Sequence, residues 1–189
     1  MKSRIWMPLL GVLAILIPPI KGMGIFARAP KPKEDPVIRE RVYVNMPEMP
    51  RSKLMSVATD VIAGRVVDMR PVFPDDGIGY TEVDIALTWS IVGADDEQLT
   101  VRFPGANDGR NLTMVQGAPQ VFIGEDVVLL IDRDDENITS IVGMDYGVYR
   151  ISVDEAGAEV VVGSHSSAVS MDHFLAELSK DWQAAQEGR

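Results

Sequence analysis

Two histidines are the side chains of this sequence best suited to chemistry. His165 and His173 lie eight positions apart, and Asp172 directly precedes the second. Two histidines and one carboxylate can hold a metal ion that keeps open coordination positions. We predict instead a polar loop at His165 and an exposed helix face at His173, with no metal bound. The metal-site interpretation stays open as the alternative.

A serine hydrolase would need one of the same histidines beside a serine and an acid. No Gly-x-Ser-x-Gly nucleophile motif occurs in the 189 residues, and the chain has no cysteine that could act as a nucleophile. The phosphate-binding loop and the dinucleotide fingerprint are also missing. We therefore predict no catalytic residue, no cofactor and a protein that is not an enzyme. A metal-dependent or hydrolytic enzyme is the less favoured alternative.

Acidic side chains gather in predicted turns. The run 132–137 reads DRDDEN, but it has neither the sixth-position glycine nor the twelfth-position glutamate of a calcium-binding loop. Three other turns carry adjacent acids: Asp75 and Asp76, Asp95 and Asp96, and Asp154 and Glu155. We predict solvated hairpin turns at all four, with weak calcium binding as the alternative.

Aromatic side chains offer one possible binding surface. Most of them fall on predicted strands, where packing in the core is the default. If Arg102, Tyr146 and Tyr149 emerged on one exposed face of a barrel, they would form a platform for a carbohydrate or a peptide, because small barrels often bind ligands on a strand face.

The net charge argues against one class of partner. It is −10 for the whole chain, and removal of residues 1–29, with four basic and no acidic side chains, would take it to −14. Such an acidic protein repels phosphate backbones, so we predict no nucleic-acid partner.

The N-terminus has the layout of an export signal. Lys2 and Arg4 precede an uncharged apolar run at 5–20. This run is shorter than the roughly 20 residues of a spanning helix. We predict that 1–29 is a cleaved signal peptide, with an uncleaved membrane anchor as the alternative, and that 30–50, rich in proline and charge, is an extended linker. The chain is then exported to the periplasm or beyond, and contacts a membrane only through an uncleaved N-terminus.

Residues 51–189 are predicted to form one all-β domain. Short β-branched runs alternate with turn signals, and the apolar run DVVLLI at 126–131 is typical of a strand in the centre of a core. The spacing predicts six to eight strands in a small barrel. Apolar residues at helical spacing then predict an α-helix at 170–187, with Ser170 as its N-cap, that covers an end or edge of the barrel.

The order of short motifs across 57–152 resembles that of small exported bacterial proteins of unknown function. The residues that carry the resemblance include Gly64, Pro104, Gly105, Gly117, Pro119, Gly124 and Glu125. The resemblance implies a barrel of the oligonucleotide/oligosaccharide-binding (OB) type, distantly similar to the netrin-like modules of metalloproteinase inhibitors. It brings no catalytic residue with it.

The stretch QGAPQVFIGE at 116–125 is predicted to be a structural corner. Gly117 and Pro119 end one strand, Phe122 is expected in the core, and Gly124 with Glu125 leads into the central strand. The sequence as a whole favours an exported, non-enzymatic binding module of the cell envelope, whose partner is a protein or an envelope polymer. A structural or assembly protein anchored to the membrane is the alternative.

Overall fold

The computed structural model describes residues 37–43, 49–92 and 97–188, which contain eleven strands, two α-helices and one short 3-10 helix (Met144–Gly147). These residues belong to one compact unit, Glu34–Arg189. The predicted signal segment and the acidic turn at Asp95 and Asp96 lie outside the described residues. In the described part of the chain, neither helix is long and apolar enough to cross a membrane. The strands are β1 (Val37–Val42), β2 (Asp60–Val72), β3 (Tyr80–Ser90), β4 (Gln98–Pro104), β5 (Ala106–Asn107), β6 (Asn111–Val115), β7 (Asp126–Arg133), β8 (Thr139–Ile141), β9 (Val148–Val153), β10 (Glu159–Gly163) and β11 (Val169–Ser170), and the helices are α1 (Arg51–Val57) and α2 (Met171–Glu187).

Five strands close into a small barrel. They follow the order β7-β2-β3-β4-β8, and β8 pairs back with β7 to complete the circle. The interior is filled by buried aliphatic side chains and Phe103. The predicted all-β barrel with a C-terminal helix is therefore confirmed. Closure removes the free edges that an open sheet of this size would expose.

The sheet continues outward from the barrel through β7. This strand pairs with β2 on one side and with β9 on the other, and β10 and β11 follow β9. Val127, Leu129 and Ile131 point into the barrel, whereas Val128 and Leu130 belong to a second core beneath the two helices. Because both faces of β7 are buried, its sequence is a continuous apolar run rather than an alternating one.

The helix α2 covers this outer core. Ser170 caps its first turn by accepting a hydrogen bond from the His173 backbone N–H at 3.4 Å. Phe174 and Leu178, one turn apart, are buried against the second core. The predicted helix and its cap are confirmed, and its apolar stripe is used within the domain.

A bulge at Gly64 lets β2 bend around the barrel. The pairing with β3 shifts register between Ala63 and Gly64, and a Cβ at Gly64 would collide with the carbonyl oxygen of Ala86 on β3. The register shifts again between Val66 and Asp68. These two bulges bend β2, which stays regularly paired through Pro71.

The corner at 116–125 differs from its prediction in one residue. Gly117 and Gly124 have φ of 78° and 93°, as a turn requires, and Pro119 is buried. The expectation that Phe122 enters the core was wrong, because its side chain is 60% exposed and Val121 fills the barrel instead. Glu125 holds the loop by accepting the Phe122 backbone N–H at 2.9 Å.

One further strand lies within the predicted linker. Residues of β1 pair in parallel with β6, and β6 also pairs with β5, so that these three strands form a separate small sheet. In this described part of the segment, Val37–Val42 is held by a ladder of backbone hydrogen bonds.

Candidate functional site

A groove beside α2 gathers most of the side chains that could take part in binding. It consists of two adjoining cavities of about 210 Å³ and 150 Å³. Both are lined by Arg51 at the start of α1, Tyr149 on β9, Gly163 at the end of β10, and Ser166 in the turn after it. We call this feature the helix groove. Its combined size is at the lower end of the range of small-molecule sites, roughly 300–1,000 Å³.

Glycine at position 163 makes room for the groove floor. Gly163 lies directly across from Tyr149 in the β9–β10 ladder. A Cβ at this position would come within 3.1 Å of the Tyr149 ring and 2.8 Å of the Ser166 hydroxyl oxygen. The Ser166 hydroxyl accepts the Gly163 N–H at 3.2 Å, which fixes the turn that forms one wall.

Tyr149 is the central side chain of the groove. It is 8% exposed, and its ring packs on Phe174 of α2 with centroids 4.9 Å apart. Its hydroxyl has no hydrogen-bond partner among the described residues. In the described part of the chain, every side-chain nitrogen or oxygen that is fully enclosed has a hydrogen-bond partner. The Tyr149 hydroxyl has none, so it is not fully enclosed and can be reached from the groove. Burial raises the pKa of Tyr149, with Arg51 opposing the rise and Asp181 adding to it, so the phenol is neutral and can donate a hydrogen bond.

Arg51 joins the two helices at the groove. Its Nε lies 2.6 Å from an Asp181 carboxylate oxygen, and its Nη2 lies 3.5 Å from Glu177. The guanidinium also sits 5.9 Å from the centre of the Phe174 ring. The positive charge of Arg51 is therefore already neutralised by carboxylates of α2.

The mouth of the groove carries a stacked aromatic pair. The rings of Tyr146 and His165 are 4.3 Å apart and inclined by 24°. His165 Nε2 is 3.6 Å from the Asp145 carboxylate, which also accepts the Ser164 hydroxyl at 2.6 Å. Serine, histidine and acid thus meet here, but the serine bonds to the acid. A serine nucleophile would instead need the histidine as its hydrogen-bond partner.

The other predicted histidine lines the smaller cavity. His173 lies on the first turn of α2 and faces the same space as Ser167 and Glu177. The two histidines therefore border one groove, although they are on different elements. In the residues that the structure describes, no group of three or more His, Asp or Glu side chains has the arrangement of a metal site.

The predicted platform residues are divided between two places. Tyr146 and Tyr149 line the same cavity. Arg102 lies on β4 of the barrel wall, where its guanidinium stacks 4.6 Å from the centre of the Tyr80 ring and 3.9 Å from Glu82. In the groove, the cation near the tyrosines is Arg51, which the sequence did not single out.

The barrel wall around Arg102 is a network of paired charges. Asp84 accepts hydrogen bonds from both terminal nitrogens of Arg70, at 2.7 Å and 3.1 Å, and from the Thr100 hydroxyl at 2.6 Å. These hydrogen bonds hold the pKa of Asp84 below its ordinary value, and the largest contribution comes from Arg70. Burial of the carboxylate acts in the opposite direction and raises the pKa. The carboxylate and guanidinium satisfy each other, which is typical of a structural ion pair.

Two of the acidic turns use a carboxylate to hold their own backbone. Asp134 accepts the N–H groups of Glu136 and Ile138, and Asp154 accepts those of Ala156 and Ala158, all at 2.8–3.0 Å. Such side-chain to backbone bonds are the usual reason for aspartate in turns. They account for these acids without a bound cation.

A second cleft, of about 340 Å³, lies where β4 and β6 meet the corner. Among its walls are Pro104, Gly105 and Pro119, three of the motif residues. None of the residues that line it has an ionisable side chain. The motif residues therefore shape this part of the barrel, and the helix groove has the richer chemistry.

No protein-family model, curated protein or solved structure matches this chain. The fold and site define its class as a small closed five-stranded barrel with an outer sheet and a helix-lined groove.

Proposed function

We propose that the chain is an exported, non-enzymatic binding module of the cell envelope and that the helix groove is its binding site. The observation that carries the proposal is the gathering of Tyr146, Tyr149 and His165 around one pair of adjoining cavities. Aromatic rings combined with a few polar groups in a concave site are the usual composition of a binding pocket. The predicted export signal at 1–29 supports the location, and the partner is a protein or an envelope polymer.

The hydrogen bonds of the groove favour binding over hydrolysis. Ser164 donates to Asp145, so its proton is not held by His165. His173 lies on the other side of the groove in the smaller cavity. A nucleophile and its base must lie within hydrogen-bond reach of each other, and these two pairings do not supply that arrangement.

The packing of α2 favours a groove over an assembly role for the helix. A partner-binding helix would need its apolar stripe free. Phe174 and Leu178 are instead 2% and 1% exposed within their own domain, and Trp182 packs against the same core. We therefore place the binding surface beside the helix rather than on it.

The test is affinity capture from the envelope fraction of the source organism, with the full chain carrying a C-terminal tag. A Tyr149→Phe, His165→Ala double variant alters the groove, and Arg102→Ala on the barrel wall is the matched control. We expect the wild type and the control to capture the same partner and the double variant to lose most of it. Equal capture by all three proteins, each shown to be folded by circular dichroism, would exclude the groove as the site.

A further inference from the structure

The helix groove also indicates the chemistry of what it binds. Resting on the proposed function, we propose that its ligand is a neutral saccharide, and that a saccharide oxygen accepts a hydrogen bond from the Tyr149 hydroxyl. Tyr149 thus becomes the specificity-determining donor of the site.

The first argument is the unmatched hydroxyl. The Tyr149 residue is only 8% exposed, and its hydroxyl has no hydrogen-bond partner among the described residues. Because this hydroxyl is open to solvent rather than enclosed, a ligand acceptor would replace water as its partner, and the low polarity around it strengthens that hydrogen bond. The hydroxyl is reachable from the groove, so such an acceptor can come from outside the chain.

The second argument is charge balance. Arg51 is paired with Asp181 at 2.6 Å and Glu177 at 3.5 Å, and His165 faces Asp145 at 3.6 Å. The arginine on the walls thus already has two carboxylate neighbours. An anionic ligand would find no unpaired positive charge there and would lose its hydration without compensation. A neutral ligand avoids this cost.

The third argument is that the walls offer both halves of a hydroxyl hydrogen bond. The Ser166 oxygen already accepts the Gly163 N–H, which leaves its own proton free to donate. The Ser164 proton is used by Asp145, which leaves its oxygen lone pairs free to accept. Saccharide hydroxyls both donate and accept, and they match this mixture. The partly exposed ring of Tyr146, which stacks on His165, supplies apolar surface for the carbon face of a sugar ring.

The fourth argument separates a saccharide from a peptide. Extended peptides commonly bind by adding a strand to an open sheet edge. The pairing of β10 with β11 is limited to Val160 and Val161, and at the groove end the Gly163 N–H is instead bonded to the Ser166 hydroxyl. The turn after β10 closes on itself, because the Ser166 N–H donates to the Gly163 carbonyl at 3.3 Å. The groove therefore presents side chains rather than a free backbone ladder.

The test is a calorimetric titration of the full chain with a panel of trisaccharides. The neutral probes are cellotriose, maltotriose and the trimer of N-acetylglucosamine. The charged probes are the glucosamine trimer, which is cationic, and the galacturonate trimer, which is anionic. We expect at least one neutral trisaccharide to bind and the anionic one to bind more weakly. Tyr149→Phe keeps the ring and should weaken binding about fivefold to tenfold, as expected for one lost hydrogen bond.

Two controls separate the failure of this inference from that of the proposed function. Arg102→Ala should leave the titration unchanged, and thermal unfolding should show Tyr149→Phe to be folded. Binding of charged trisaccharides alone, no binding of any neutral one, or equal affinity of Tyr149→Phe would overturn the saccharide assignment. In those cases the proposed function is still supported if the double variant loses capture of the envelope partner. It is overturned as well if the double variant captures as much partner as the wild type.

Discussion

Arg51 and Asp181 are 130 positions apart in the chain, yet their side chains meet at 2.6 Å. One belongs to the first turn of α1 and the other to α2, so this contact joins the start of the domain to its end. The pair also lies beside the ring of Tyr149, whose pKa responds to both charges. A contact that holds the two helices together thus borders the candidate binding site.

The Arg51–Asp181 contact should contribute modestly to stability. Both side chains are partly exposed, at 27% and 22%, so solvent screens their attraction. A double-mutant cycle of Arg51→Ala and Asp181→Ala in urea should give a coupling of about 0.5–1 kcal/mol. Lys53→Ala, on the exposed side of α1, is the control and should show no coupling with Asp181. A coupling of zero would mean that the Arg51–Asp181 pair adds nothing measurable to the packing of the two helices.

The corner at 116–125 predicts opposite outcomes for two neighbouring residues. Val121 is 4% exposed in the barrel core, whereas Phe122 is 60% exposed. Val121→Ala should lower the free energy of unfolding by about 1–3 kcal/mol because it leaves a cavity. Phe122→Ser should change it by less than about 0.5 kcal/mol, as for other surface positions. Denaturant titrations of both variants check this, and the reverse order would restore Phe122 to the core.

The buried carboxylate of Asp84 should make the free energy of unfolding depend on pH in the acidic range. Its pKa is lowered in the folded state, so the unfolded chain takes up its proton at a higher pH. The stabilisation by Asp84 is therefore complete well above 3.8, its ordinary pKa, and is lost as the pH falls through and below that value. Asp84→Asn should be clearly less stable than the wild type near neutral pH.

The difference between wild type and Asp84→Asn should then shrink as the pH is lowered below about 4. Thermal unfolding across that range measures it. Asp75→Asn, in an exposed turn, is the matched control and should follow the wild type. A constant difference between wild type and Asp84→Asn would show that the residue acts through packing instead of charge.

Because its aspartate already bonds the backbone, the turn at Asp134 should not bind calcium, and the stability of the domain should not depend on calcium. Asp134 bonds the backbone N–H groups of Glu136 and Ile138, so Asp134→Ala should cost about 1 kcal/mol. The unfolding temperature of the wild type should not change when calcium is added at millimolar concentration. A rise in that temperature that Asp134→Ala abolishes would support the calcium alternative.

Local patterns predicted much of the fold. The apolar run of β7 indicated a strand buried on both faces, and the helical spacing after Ser170 indicated α2, because burial leaves a direct periodic trace in sequence. A glycine inside a strand commonly marks a bulge, as Gly64 does, whereas the second bulge between Val66 and Asp68 has no glycine to mark it.

The candidate site was predicted only in part, because it depends on contacts between distant segments. Tyr146 and Tyr149 were singled out, but Arg102 was grouped with them although it lies on the barrel wall. Arg51 gave no local signal, since its partners lie more than a hundred positions away. The serines that flank His165 indicate a polar turn. Phe122 and Val121 are neighbours of similar hydropathy, so only the turn geometry decides which one enters the core.

The double burial of β7 has a thermodynamic consequence for the whole domain. One side of the strand lines the barrel, and the other supports the core beneath the groove. Because the barrel and the outer core share β7, unfolding of one should expose the buried face of the other. The domain should therefore unfold in a single cooperative step. A ligand in the groove then protects the barrel on the far side as well, by mass action on the shared folded state. Occupancy of the groove can accordingly be read out anywhere in the domain, including from amide exchange in the barrel strands.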